Sequence, residues 1–98
     1  KTMVSFIILS SNIEQKAYKI AHNLRSLNDS INIDVQLSDG SLKSKLRRAN
    51  KDNAAYALII GEDELKSKKI IVKPLLDENS EQVILSLEEI DSFIKKLK

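Results

Sequence analysis

The chain has 98 residues, of which 42% are hydrophobic and 31% charged, as in one ordinary globular domain. It has no cysteine and one histidine, which excludes disulfides, thiolate metal sites and a histidine cluster. Its net charge of +2 is too small to predict nucleic-acid binding alone, and no apolar run reaches the ~18–20 residues of a membrane span. We therefore expect one cytoplasmic domain over residues 1–98, and, because a strand begins almost at Lys1, a fragment of a longer protein.

The first part of the chain predicts two strands around a helix. Met3–Leu9 is almost continuously apolar, as in a strand that is covered on both faces. Ser11 followed by Glu14 predicts a capping box, which opens an amphipathic helix that continues to about Asn28. Residues 31–37 alternate between apolar and polar, which is the period of a half-exposed strand at the edge of a sheet.

The second part predicts a basic helix, three strands and a closing helix. Asp39-Gly40-Ser41 is a turn that supplies an N-cap for a helix expected to bury Leu42, Leu46 and Ala49. The remaining predicted elements are a buried strand at Tyr56–Ile60, two shorter strands at 69–75 and 82–85, and a helix opened by a capping box of Ser86 and Glu89.

This order, β-α-β-α-β-β-β-α, predicts a single α/β domain with a five-stranded mixed sheet and three helices. Two right-handed crossovers make the first three strands parallel with the first in the middle, and the last two add as antiparallel strands. Ligands of such open sheets bind beyond the carboxyl ends of the parallel strands. Those ends are Ser10-Ser11, Ser38–Ser41 and Gly61–Glu64, so we expect the turn before the basic helix to lie beside the acidic turn.

Charge is unevenly distributed along the chain. Residues 41–73 hold nine basic and four acidic side chains, whereas residues 74–91 hold six acidic and no basic ones. The N-terminus of the basic helix, with Lys43 and Lys45 nearby, can hold a phosphate through its amides and its dipole. The same residues can equally form a solvated cationic face, in which Arg47 and Arg48 favour the C-terminal half of the helix.

The acidic turn, Glu62-Asp63-Glu64, has three interpretations: charge capping of the turn, reading of base amino groups, or a metal or acid–base site. A metal site needs further oxygen ligands, and only Asp39 is available. Acid–base catalysis needs a nucleophile or a tuned partner, and none is apparent. With two glycines and 4% aromatics, the chain also lacks a phosphate loop and a base-stacking platform, so an independent enzyme is not expected.

Residues 40–51, followed by AYALIIGEDEL and a strand that ends in Val-Lys, resemble the C-terminal anticodon-binding domain of class IIa aminoacyl-tRNA synthetases. The spacing from Leu42 to Gly61 is that of the histidyl branch and longer than that of the threonyl branch. The closing Ser-Leu-Glu-Glu-Ile helix is similar across the family. The resemblance covers essentially the whole chain and implies a five-stranded mixed sheet with three helices, in agreement with the elements predicted above.

The resemblance also implies which residues contact RNA. Glu64 and Lys73 correspond to residues that contact anticodon bases in relatives, and the turn Ser38-Asp39-Gly40 corresponds to polar residues that approach the anticodon. In the histidyl pattern a second glycine often occupies the position of Asp39, and the residue after Lys73 is commonly acidic or an amide, whereas here it is a proline. The complete predicted set is Ser38, Asp39, Gly40, Lys43, Lys45, Arg48, Glu62, Glu64 and Lys73, with phosphate contacts from Lys43, Lys45 and Arg48.

The function that the resemblance implies is recognition of the histidine tRNA anticodon stem-loop, as a non-catalytic part of a cytoplasmic histidine–tRNA ligase. The parent enzyme would be a homodimer, and its catalytic domain, with ATP and Mg²⁺, would lie outside this segment. Neither DNA nor a membrane is an expected partner. The alternatives are an anticodon-binding domain of a threonyl, prolyl or glycyl synthetase, or a synthetase-derived interaction or dimerisation module without RNA specificity.

Overall fold

A computed structural model describes residues 1–77 and 79–98, so Glu78, one of the six acids counted above, lies outside the described residues. The strands are β1 (Thr2–Ile8), β2 (Ile31–Gln36), β3 (Tyr56–Ile60), β4 (Lys69–Pro74) and β5 (Val83–Ser86). The helices are α1 (Glu14–Ser26), preceded by a 3₁₀ turn at Ser11–Ile13, α2 (Leu42–Lys51), α3 (Glu62–Lys66) and α4 (Leu87–Lys96). None of these helices is long and apolar enough to cross a membrane.

The five strands form one sheet in the order β2-β1-β3-β4-β5. β1 pairs in parallel with both β2 and β3, and β4 pairs antiparallel with β3 and with β5. This confirms the predicted mixed sheet, with the continuously apolar β1 between the other two parallel strands and the alternating β2 at one edge. The three long helices are also confirmed. The acidic run differs from the prediction because it forms the five-residue helix α3 rather than a turn.

The main core lies on one face of the sheet, beneath α1 and α4. β1 contributes Val4, Phe6 and Ile8, all without solvent exposure, because alternate residues of a strand point to the same face. The phenyl ring of Phe93 in α4 meets the ring of Tyr56 edge to face, with 5.0 Å between the centroids. The helix residues that complete this core are Ala17, Ala21, Leu24, Ile90 and Ile94.

The opposite face carries a smaller core, in which α2 covers part of the sheet. Ile7, Ala57 and Ile59 form this cluster, and the partly buried Leu46 packs against it. The prediction that Leu42 is buried is wrong, since 38% of this residue is exposed.

Lys45 takes the inward place on α2 instead of Leu42 and is only 5% exposed. The buried Gln36 of β2 holds this part of α2 against the sheet, because its side-chain amide donates to the backbone carbonyl oxygen of Lys45 at 2.9 Å. The same amide donates to the hydroxyl of Ser5 at 2.8 Å, so α2 is attached to the sheet by a polar as well as an apolar contact.

The predicted cap of the last helix is confirmed. The amide of Glu89 donates to the hydroxyl of Ser86 at 3.1 Å, and the amide of Ser86 donates to the carboxylate of Glu89 at 2.9 Å. The bond that the Glu89 carboxylate accepts from the Ser86 amide is the main cause that lowers the pKa of Glu89.

Candidate nucleic-acid interface

The carboxyl ends of the three parallel strands bring together three polar segments, which we call the rim: Ser10–Glu14, Ser38–Ser41 and Gly61–Glu64. The segment after β1 lies between the other two because β1 is the middle strand of the three. The amide of Leu9 donates to the Ile60 carbonyl at 2.9 Å, and the side-chain amide of Asn12 donates to Glu62 at 3.3 Å. The two turns thus lie at one edge of the sheet, as predicted. They are not direct neighbours, because the segment after β1 lies between them.

Glu14 joins the first segment of the rim to the second. Its Oε2 atom accepts from the Ser38 amide at 3.0 Å and from the Ser38 hydroxyl at 2.8 Å. These two bonds lower the pKa of Glu14, the amide bond most. The predicted capping box of Ser11 and Glu14 is therefore wrong: Ser10 caps the 3₁₀ turn, and Glu14 is the first residue of α1 instead of its third.

The turn after β2 is held by Lys45, whose Nζ atom donates to the carbonyl oxygens of Asp39 and, at 3.3 Å, of Gly40. Gly40 has φ +85°, a left-handed conformation that glycine adopts without steric cost. The sequence predicted Lys45 as a phosphate ligand, but its amino group is buried and engaged with the turn. This placement does not favour a direct phosphate contact from Lys45.

The other cations of α2 remain on the surface. Lys43 lies exposed in the first turn, which begins at Ser41, where the Ser44 amide donates to the Ser41 hydroxyl at 3.1 Å. The guanidinium of Arg48 lies 3.4 Å from a carboxylate oxygen of Asp34 and 3.8 Å from one of Asp52, with 58% of its side chain exposed. The positive charge of Lys43 is therefore less compensated by nearby carboxylates than that of Arg48.

A recess of about 500 Å³ beside β2 brings several of the predicted residues together. Asp39, Gly40, Lys45 and Arg48 all line it, together with Ser44. Its lining combines a carboxylate, backbone groups of the turn and a guanidinium, which are groups that hydrogen-bond to base edges and phosphates.

Glu64 acts as a cap for α3. Its Oε1 atom accepts from the Gly61 amide at 2.8 Å. A Cβ atom at Gly61 would lie 2.8 Å from this oxygen, so the glycine leaves the space that the carboxylate occupies. Within the described part of the chain, Oε2 of Glu64 takes no hydrogen bond and can accept one from a ligand. The described residues contain no group of three or more histidine, aspartate and glutamate side chains that could hold a metal ion.

Lys73 lies away from the rim. It pairs with Ala57 of β3. The rim begins at Gly61, four residues after Ala57, which corresponds to about 13 Å at the rise per residue of a strand. Residues directly opposite in a sheet share a face, so Lys73 lies on the face that carries α2. On this face Ile71 pairs with Ile84, which is 60% exposed. A ligand that contacts both Glu64 and Lys73 must therefore extend across part of this face.

Fold and rim together define a small α/β binding module with polar turns at one edge of the sheet and exposed cations on the adjacent helix. The family model described as "Anticodon binding domain" matches residues 3–97. The chain belongs to this family.

Relatives and solved structures agree with this membership. The chain is 40% identical over 88 residues to a histidine–tRNA ligase of Prochlorococcus marinus, with 86% of this chain and 20% of the relative covered. It is 33% identical over 95 residues to that of Ruthia magnifica, with 97% and 22% covered. The chain thus spans about a fifth of the length of these relatives.

Two solved structures have the same fold at low sequence identity. A Nostoc histidyl-tRNA synthetase superposes with a TM-score of 0.83 at 23% identity, covering 97% of this chain and 22% of that one. The RNA binding domain of a Cryptosporidium parvum threonyl-tRNA synthetase superposes with a TM-score of 0.84 at 19% identity, covering 95% and 22%. The predicted fold class and family are both confirmed.

Proposed function

We propose that this chain recognises the anticodon stem-loop of histidine tRNA as the anticodon-binding part of a histidine–tRNA ligase. The observation that carries the proposal is the family match over residues 3–97. The names of relatives at 33–40% identity favour histidine tRNA over the tRNAs of the other branches.

In this proposal, the exposed cations of α2 bind the phosphates of the RNA. Lys43 combines an exposed ammonium with the amides of the helix N-terminus, which suit an anion. Arg48 lines the recess beside the turn and can add a second contact, reduced by its two carboxylate neighbours. These contacts supply affinity that depends on salt and carries no sequence information.

In this proposal, residues of the rim and of the adjoining face of the sheet contact the anticodon bases. Oε2 of Glu64 and the exposed carboxylate of Asp39 can accept hydrogen bonds from base amino groups, whereas Lys73 can donate to base oxygens and nitrogens. Glu62 is less suited to contact a base, because one of its carboxylate oxygens already accepts a hydrogen bond from Asn12.

The parent enzyme would supply what this segment lacks. A catalytic domain elsewhere in the same chain would bind ATP and Mg²⁺, and the parent would act in the cytoplasm as a homodimer. This segment would place the tRNA and perform no chemistry itself.

Binding of histidine tRNA stem-loops with single anticodon substitutions tests the proposal. We expect substitutions at the bases that are read to weaken binding by about 5- to 150-fold, the range of one bidentate base contact. A stem-loop with an altered stem and the native anticodon is the control and should bind like the native one. Equal binding of every anticodon would refute base reading.

A second candidate is a protein-interaction module that kept the fold and lost RNA specificity. It is favoured by the exposed apolar side chains of Leu76 and Ile84, which are 69% and 60% exposed. It predicts equal, salt-sensitive binding of all stem-loops in the same experiment.

A further inference from the structure

We propose that Glu14 and Lys45 are positioning residues that fix the Ser38–Gly40 turn in the one orientation that can read RNA bases. The proposal rests on the proposed function, since it names two residues on which base discrimination depends. Neither residue is expected to contact a base.

Glu14 fixes the start of the turn. One carboxylate oxygen accepts from both the amide and the hydroxyl of Ser38, at 3.0 and 2.8 Å. Both donors of Ser38 are therefore directed into the protein. Base contacts from this turn then fall to Asp39 and Gly40, which are exposed.

Lys45 fixes the end of the turn. Its amino group donates to the carbonyl oxygens of Asp39 and Gly40, which directs these two acceptors inward. The lysine is itself held, because Gln36 donates to the Lys45 carbonyl at 2.9 Å and to Ser5 of the central strand at 2.8 Å. The turn is thereby connected to β1, an interior strand of the sheet.

Glu14 and Lys45, which we call the two clamps, have opposite hydrogen-bonding character: Glu14 accepts and Lys45 donates. This difference selects one orientation of the peptide groups in the turn. A carboxylate accepts only, and a lysine amino group that donates to two carbonyls offers no acceptor to an amide. A flipped Asp39–Gly40 peptide would present its N–H to the donor and lose the bond from Lys45. Preorganisation of this kind lowers the conformational cost of binding and makes the position of the base-reading groups specific.

The test compares Glu14→Ala and Lys45→Met with Lys43→Met, a matched change of an exposed cation on the same helix. The measured quantity is the ratio of Kd values for a single-substituted and the native histidine anticodon stem-loop. We expect Glu14→Ala and Lys45→Met to reduce this ratio about fivefold or more, with less than about a twofold change in affinity for an unrelated stem-loop. Lys43→Met should instead weaken all stem-loops alike and leave the ratio unchanged.

Amide signals of the turn in NMR spectra of the RNA-free chain give an independent readout. In both clamp variants the Ser38 and Gly40 signals should shift and broaden, while those of the central strand β1 stay in place. Glu14→Gln keeps an oxygen that can accept from Ser38, so it should retain most of the discrimination and the native signals. If Glu14→Ala does not fold, Lys45→Met decides the test, and native discrimination with native turn signals in that variant would overturn the positioning role.

Unchanged discrimination in folded Glu14→Ala and Lys45→Met would overturn the positioning role. If the unaltered chain itself bound all anticodons equally, the proposed function would fail, and the NMR signals would still decide the clamp. Altered turn signals in both variants would then support it, and native signals would overturn it.

Discussion

Replacing Glu64 separates the two roles that its carboxylate can have. Oε1 accepts from the Gly61 amide at 2.8 Å and closes the first turn of α3. Glu64→Gln removes the negative charge but keeps an oxygen that can accept this bond. Glu64→Ala removes both the charge and the acceptor. We therefore expect the two variants to differ in stability and to agree in their effect on RNA recognition.

The structure sets the size of both effects. α3 has only five residues, and the Gly61 bond is its side-chain cap, so Glu64→Ala should cost about 1 kcal/mol of unfolding free energy. For a domain of this size that loss lowers Tm by about 4–8 °C. Glu64→Gln should stay within about 0.5 kcal/mol of the unaltered chain. Both variants should lose about 1–3 kcal/mol of discrimination at one anticodon position.

Thermal unfolding followed by circular dichroism measures the first effect, and fluorescence anisotropy with labelled stem-loops measures the second. Asp63→Asn is the matched control, because it removes an exposed charge from the same helix and should leave both readouts unchanged. If Glu64→Gln discriminated as well as the unaltered chain, Glu64 would be a helix cap only. If Glu64→Ala melted at the native temperature, the cap would contribute nothing to stability.

Three further predictions concern affinity, the core and pH. Lys43→Ala should weaken binding of every stem-loop by the same factor and reduce the slope of log K against log salt by about one, as measured in a salt titration. Ile90→Ala, at a fully buried position, should cost about 2–5 kcal/mol, whereas Ile84→Ala at the exposed β5 edge should cost less than about 0.5 kcal/mol in chemical denaturation. The pKa of Glu89 is lowered in the folded chain by the Ser86 amide, so its contribution is complete above the unfolded pKa and is lost as pH falls through the folded value. The stability advantage of the native chain over Glu89→Gln should therefore shrink in melts below about pH 4.5.

Much of the fold could be predicted because it depends on local patterns. The continuous apolar run of β1 predicted an interior strand, and the alternation of β2 predicted an edge strand. The cap at Ser86 follows from two residues three positions apart, and both of its bonds are present. The helix α3 was missed because five residues are too few to show a helical period.

The residues that organise the rim could not be predicted, because their partners are distant in sequence or of an unexpected kind. Glu14 bonds to a residue 24 positions away, and a nearby serine offered a simpler local partner. Lys45 lies in a basic helix, and lysine is seldom fully buried without a partner, so the sequence predicted an exposed side chain. Its amino group donates to two turn carbonyls and its backbone carbonyl accepts from Gln36, and only the folded chain brings these groups together.

The position of Lys73 could have been deduced from the sequence. β4 runs antiparallel to β3, so the end of β4 returns to the start of β3 and moves away from the rim. The resemblance implied that Glu64 and Lys73 both contact anticodon bases, but not how far apart they lie. An RNA that contacts both must extend across part of the face that carries α2.

The most direct test of base recognition is the affinity of the 98-residue chain for native anticodon stem-loops of histidine, threonine, proline and glycine tRNAs at one fixed salt concentration. We predict that the histidine stem-loop binds at least about tenfold more tightly than the other three, which corresponds to one or two base contacts. Equal affinities for all four, or tighter binding of another stem-loop, would contradict the proposal.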